Sequence, residues 1–224
     1  MLRVRVITLL LCLPFSLHLF AGSTKASSDQ SGLDALVERL QKISTISGSF
    51  VQYSVDQKGV RVQESHGEFK AKRPDFFYWR TEEPLEQEIY SDGERVTVYD
   101  PDLEQATIQK TNVQTETTPA ALFSGDPARI SELFEVEHQE LDKVVSQFLL
   151  TPKSNDSLFE RLRVRFDGAQ LTQMRLSDSL GQDSTVSFIH TEVNMALPDS
   201  AFVPTFPSGT DIIEDLPASF NAVN

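Results

Sequence analysis

Cysteine is all but missing from this chain. The single one, Cys12, lies near the start, so the rest of the sequence holds no disulfide and no thiolate metal site. Histidine is almost as sparse: beyond the first residues there are His66, His138 and His190, with no His-x-His or His-Glu-x-x-His spacing that would group zinc ligands. Gly-x-Ser-x-Gly, which exposes a hydrolase serine on a strained turn, does not occur, and neither standard phosphate-cradling glycine loop is present. Positive charge is the minority, since 20 Lys and Arg against 33 Asp and Glu leave a net −13. A field of that sign disfavours nucleic acid and anionic membrane surfaces. The one long apolar run, residues 6–20, falls short of the roughly 20 residues that span a bilayer as a helix.

That run belongs to a recognisable leader. Arg3 and Arg5 precede it and small residues follow it towards Ala21 and Ala26, the layout of a secretory signal peptide over residues 1–26. Cleavage is expected after Ala26, with Ala21 as the rival site. Leu11, not a small residue, precedes Cys12, which argues against lipidation. Residues 27–224 then form one domain of roughly 200 residues, large enough for a sizeable core. Loss of Arg3, Arg5 and Lys25 makes the exported part more acidic still, which helps to keep an apolar surface in solution.

Within that domain, Leu33, Leu36, Val37, Leu40 and Ile43 recur at helical spacing, opposite Glu38, Arg39, Gln41 and Lys42, and predict one amphipathic helix. After Gly48 the period changes to two, through Val51, Tyr53 and Val55, then Phe77 and Trp79, Val96 and Val98, and Ala106 and Ile108. The breaks carry turn residues, of which Asp92-Gly93 is the strongest hairpin signal. With no helix-length crossover between these strands, an antiparallel meander is expected. Residues 118–125 and 127–134 read as two short helices. Strands resume at 144–151, 158–166, 171–177 and 185–193, and 198–215 reads as an extended, proline-bearing edge piece. Arg161, Arg163 and Arg165 alternate with Leu162, Val164 and Phe166, giving that strand one wet and one dry face.

Phe76-Phe77-Tyr78-Trp79 makes a strand apolar on both sides, and roughly ten or eleven strands form more sheet than one amphipathic helix and two short ones can cover. A curved sheet with a partly filled concave side follows, suited to an apolar ligand rather than a reaction centre. The acidic residues nearby read differently: Asp92, Asp100 and Asp102 are turn formers, and Glu82, Glu83, Glu86 and Glu88 a solvated loop.

Gly48-Ser49-Phe50-Val51-Gln52, Gly67-Glu68-Phe69, Lys72-Arg73-Pro74-Asp75-Phe76-Phe77-Tyr78-Trp79, Ser91-Asp92-Gly93 and Val98-Tyr99-Asp100-Pro101-Asp102-Leu103-Glu104-Gln105-Ala106 together resemble the LolA family of periplasmic outer-membrane lipoprotein carriers. The likeness continues more thinly through Thr118-Pro119, Phe148-Leu149-Leu150-Thr151-Pro152-Lys153 and Phe206-Pro207-Ser208-Gly209. It implies a mainly β (α+β) fold, an incomplete antiparallel β-barrel of about eleven strands with a helical lid over an apolar cavity. It also implies a non-enzymatic carrier without metal or cofactor, a monomer that binds no nucleic acid. Such a protein takes the acyl chains of lipoproteins from an inner-membrane lipoprotein-releasing ABC transporter and delivers them to an outer-membrane receptor lipoprotein.

By the same resemblance, Leu40, Phe77 and Trp79 line the acyl cavity, Arg73 is the lid latch, and Leu36, Leu122 and Phe123 belong to lid helices. The other reading for such a half-barrel is a periplasmic sensor or regulator of lipidated or misfolded envelope proteins, although sensors of that kind usually add a second domain for which this chain has no room.

Overall fold

The structure, a computed structural model, describes residues 29–110, 122, 126–155, 157 and 159–215. Helix α1 (Asp29–Gln41) forms where the apolar spacing predicts it, with Leu33, Leu36, Val37 and Leu40 all buried on one side. Each such side chain contributes about 1.5–3 kcal/mol on leaving water, which is what holds a helix of this length. The solvent side carries an ion pair one turn apart, Glu38 to Lys42 at 2.8 Å. The last turn tightens, with the Lys42 amide donating to Arg39 and the Ile43 amide to Leu40, so α1 ends two residues before the apolar pattern does.

Twelve strands follow: β1 (Thr45–Val55), β2 (Arg61–Lys72), β3 (Phe76–Glu83), β4 (Gln87–Asp92), β5 (Arg95–Asp100), β6 (Gln105–Lys110), β7 (Phe134–Glu140), β8 (Val145–Pro152), β9 (Arg161–Asp167), β10 (Gln170–Ser177), β11 (Asp183–Val193) and β12 (Asp211–Asp215). A second helix, α2 (Pro127–Leu133), precedes β7; its N-cap Asp126 accepts from the Ala128 amide, and proline sits in its first turn. All strands belong to one open sheet in the order β12-β6-β5-β4-β3-β2-β1-β11-β10-β9-β8-β7, with β12 and β7 at its edges. Every pair is antiparallel except β12 with β6, which run parallel. The expected half-open barrel is there, with twelve strands instead of about eleven.

The sheet curls around the helices. Gly32 lets α1 lie directly on the edge strand β7, because a β-carbon there would stand only 2.5 Å from the Val136 carbonyl oxygen. Leu36 and Leu40 share a single core cluster with Ile46, Phe50 and Phe69 of β1 and β2 and with Phe148, Leu162 and Phe166 of β8 and β9. One narrow helix meets strands from both ends of that run only if the sheet is strongly curved.

Past β11 the chain crosses the outer face. Its 3-10 turn, Asp199–Phe202, sets Phe202 against Phe76 at 5.5 Å, Phe206 lies 5.2 Å from Tyr99, and Lys72 pairs with Asp199 at 2.6 Å. This crossing explains the parallel β12: the segment returns to the start of β6 before it can pair. The proline-bearing stretch expected to lie at an edge thus does two things, sheathing the outer face and then adding the final strand.

Candidate functional site

In the half of the sheet from β3 to β6, the usual disposition of wet and dry faces is inverted. Register places Trp79 opposite Ile89, Ile89 opposite Val98, and Phe77 opposite Ser91, so these residues project from the inner face. All four apolar side chains are only half-buried. Their outward-facing neighbours Tyr78, Thr97, Tyr99 and Ala106 are buried beneath the C-terminal crossing segment and its surroundings. An apolar surface is therefore left partly open on the concave side, while these convex-side neighbours are covered. Soluble proteins seldom leave contiguous apolar surface accessible unless something binds there.

The aromatic wall is continuous with the core. Trp79 stacks on Phe50 with ring centres 3.8 Å apart, Phe69 tilts against it at 6.1 Å, and Phe77 stacks beside it at 6.2 Å. Phe50 and Phe69 are fully buried and form the back of this wall. Gly67 permits the arrangement: a β-carbon there would collide with the Arg80 carbonyl and come within 3.0 Å of the Phe50 ring.

The residues expected from sequence fall into three positions. Leu36 and Leu40 lie on the buried side of α1 at 0 % and 2 % exposure, and Leu122 is fully buried in the same cluster, against which Phe77 and Trp79 pack from the β3 side. Phe123 lies outside the described residues. Arg73, in the turn between β2 and β3, reaches back to the end of α1: Nε donates to the Ile43 carbonyl at 2.5 Å and Nη2 to the Leu40 carbonyl. The Leu40 carbonyl also accepts from the Ile43 amide, and a cation at a helix C-terminus meets the negative end of its dipole. Partial burial lowers the Arg73 guanidinium from its ordinary value, but an arginine stays protonated at neutral pH.

Further contacts join α2 to the same turn and to the end of β8. Arg129 of α2 pairs with Asp75 at 3.3 Å, and Lys153 donates to the Ser131 carbonyl at 2.6 Å. The β2–β3 turn is thus fastened to both helices. Ile89, Val96 and Val98 were not singled out as wall residues from sequence; their signal was cross-strand register with Trp79, which alternation within each strand does not reveal.

On the outer face, polar groups form a closed network. Arg80 holds Glu86 at 2.5 Å, and the Tyr90 hydroxyl donates to Glu88 at 2.6 Å. Burial, with Glu88 and Glu68 nearby, pushes the Tyr78 phenol up to about 12, and burial also raises Tyr90. Both phenols stay neutral and act as strand-face packing. Among the described residues, no group of three His, Cys, Asp or Glu could hold a metal ion, and no helix is long and apolar enough to cross a membrane.

The sequence profile described as outer membrane lipoprotein carrier protein LolA matches residues 41–205. An outer-membrane lipoprotein carrier protein of Pseudomonas entomophila is 42 % identical over 87 % of this chain and 93 % of its own length. Another, from Hahella chejuensis, is 43 % identical over 89 % of this chain and 95 % of its own. Among solved structures, an uncharacterised conserved protein of Thermus thermophilus shares the fold with a TM-score of 0.52 at 9 % identity, covering 81 % of this chain and 98 % of that one. A match of this extent, over a half-open sheet with an accessible inner aromatic wall, shows that the chain belongs to the LolA family of outer-membrane lipoprotein carriers.

Proposed function

We propose that this protein is a periplasmic carrier that shelters the acyl chains of lipoproteins between the two membranes, with the inner wall of β3–β5 as the surface the chains touch. The observation that carries the site is the inversion of burial: Phe77, Trp79, Ile89 and Val98 are half-open on the concave side while their outward neighbours are buried. Acyl chains need little more than such a wall, because each methylene taken out of water contributes about 0.8 kcal/mol. Release is then the harder step. Arg73 supports a reading in which α1 is the lid: its guanidinium holds the lid's end by main-chain carbonyls and leaves no mark on the cavity chemistry.

In this reading Leu36, Leu40 and Leu122 fill the concave side when no cargo is present, so closing the lid competes with the acyl chains and brings net affinity down. The carrier works without catalysis. An inner-membrane lipoprotein-releasing ABC transporter would supply the cargo together with the energy, and an outer-membrane receptor lipoprotein would accept it.

The test is capture from spheroplasts. Purified protein of residues 27–224 should release a triacylated lipoprotein into solution as a one-to-one complex, and should leave untouched a variant of that lipoprotein whose acylated cysteine is replaced by serine. Equal binding of both forms would reject the acyl-carrier reading.

A further inference from the structure

We infer that the outer face of β9 and β10 is a docking stripe for an extended acidic segment of a partner protein. The inference is independent of how acyl chains are held, since this face lies on the opposite side of the sheet from the core.

Leu162, Val164 and Phe166 are fully buried, so the alternating Arg161, Arg163 and Arg165 all project outward from β9. Across the pair, Arg163 stands directly opposite Arg175 of β10. Like charges in that position oppose strand pairing. Only one carboxylate answers them: Asp183 pairs with Arg175 at 2.6 Å. Arg163 donates to the Ser177 hydroxyl at 3.5 Å, which in turn donates to Asp183, so Arg163 feels that carboxylate without pairing with it directly. Among the described residues, no carboxylate lies within 4.0 Å of Arg161, Arg163 or Arg165. The chain has 33 acidic residues against 20 basic ones, so an arrangement serving only the fold had ample carboxylates to place there. One carboxylate, Asp183, answers the Arg163 and Arg175 end of the stripe, and Arg161 and Arg165 are left without an ion-pair partner among the described residues, which suits a surface that meets its counter-charge elsewhere.

Geometry selects the partner. Residues two apart on a strand repeat at roughly 7 Å, so three guanidinium groups line up at the spacing of carboxylates on alternate residues of another extended chain. Planar guanidinium groups pair bidentately with such carboxylates. An anionic bilayer is the poorer match. Glu137 of β7 lies in register with Leu149 of β8, which lies in register with Arg163, so exposed Glu137 shares the outer face two strands from the stripe. A membrane plane meets both charges together with the field of a −13 protein, whereas a single chain lying along β9 meets the arginines alone.

The test uses a fluorescent eight-residue peptide with glutamates at alternate positions and the protein of residues 27–224, read by anisotropy. Binding should weaken about tenfold or more in R163T/R165T and fall severalfold as salt rises from roughly 50 to 200 mM. Threonine suits a strand, so the variant keeps its fold, and R163T alone should melt at the same or a higher temperature because the like-charge pair with Arg175 is gone. Equal peptide affinity for the wild type and R163T/R165T would overturn the inference, as would a lowered melting temperature for R163T with binding unchanged. Co-sedimentation of the wild type, but not R163T/R165T, with phosphatidylglycerol vesicles and no peptide binding would assign the stripe to a membrane and also overturn it.

Discussion

Replacing Arg73 by leucine should loosen α1 without unfolding the sheet. The guanidinium donates to the Leu40 and Ile43 carbonyls, while the Arg73 amide separately donates to the Ser44 carbonyl at 3.0 Å and survives the change. Hydrogen bonds to a charged group contribute on the order of 1.5–3 kcal/mol each. The site is half-exposed, and the freed carbonyls can turn to water, so a total near the single-bond range is the sounder figure. That corresponds to a shift of about 10- to 100-fold in the ratio of detached to docked helix. Native-state amide exchange across residues 36–43 reads this ratio directly, and the strands serve as the internal control. Protection of those amides should fall by about tenfold or more, with β8 and β9 unchanged. Arg73→Lys, whose ammonium cannot span both carbonyls as the planar fork does, should fall between. In a reconstituted transfer assay the leucine variant should load at least as well as the wild type and deliver more slowly. Unchanged protection of α1 would refute the latch, because those hydrogen bonds would then hold nothing that opens.

Phe77→Glu should impair transfer more than folding: a carboxylate on the half-open wall can be hydrated when the cavity is empty but costs several kcal/mol against acyl chains, and circular dichroism beside a transfer assay separates the two effects. Gly32→Val should lift α1 from β7, since its β-carbon meets the Val136 carbonyl at 2.5 Å, and should raise exchange in α1 more than Arg73→Leu does. His138 stacks on Phe148 with ring centres 4.6 Å apart, and its Nε2 is buried without a hydrogen-bond partner among the described residues. Burial, then the nearby Arg39 charge, lower its pKa below the ordinary 6.5, with Glu140 opposing. The unfolded chain therefore binds the proton more readily, so the native state loses stability as pH falls below about 6.5 and regains it in full above. His138→Phe, which preserves the stack, should flatten that part of a denaturation-versus-pH profile; an unaltered profile would place the pH dependence elsewhere.

The sequence exposed most of the fold because its patterns were strong where packing is one-sided. α1 was legible from Leu33, Leu36, Val37 and Leu40, and the β4–β5 turn from Asp92-Gly93, where Gly93 takes φ 91° and Asp92 accepts from the Glu94 and Arg95 amides. β7 was not legible. Its sequence, Phe-Glu-Val-Glu-His-Gln-Glu, buries only Phe134 and Val136, and the short helical pattern before it runs into Phe134, which instead caps α2 and opens the strand. The parallel β12 could not be read either, since its five residues pair with β6 about a hundred positions earlier and only the path of the crossing segment sets that direction. For the site, period two placed Phe77 and Trp79 on one face of β3, and only the family resemblance pointed that face at the cavity. Period two could not show that Phe202 and Phe206 would cover the opposite face and so leave the inner one accessible. Nor could spacing alone bring Arg73 onto carbonyls some thirty residues earlier; that depended on the family pattern.

Trp79 is the only tryptophan in the chain and stands on the proposed wall, so its fluorescence reports on that surface alone. Titrating the protein of residues 27–224 with a fatty acid brominated along its chain, against the unbrominated acid as control, measures contact between acyl chain and wall. The account predicts saturable quenching of Trp79 by the brominated acid at about one site per protein, reduced in Phe77→Glu. Acyl binding that leaves Trp79 unquenched, or quenching that never saturates, would contradict it.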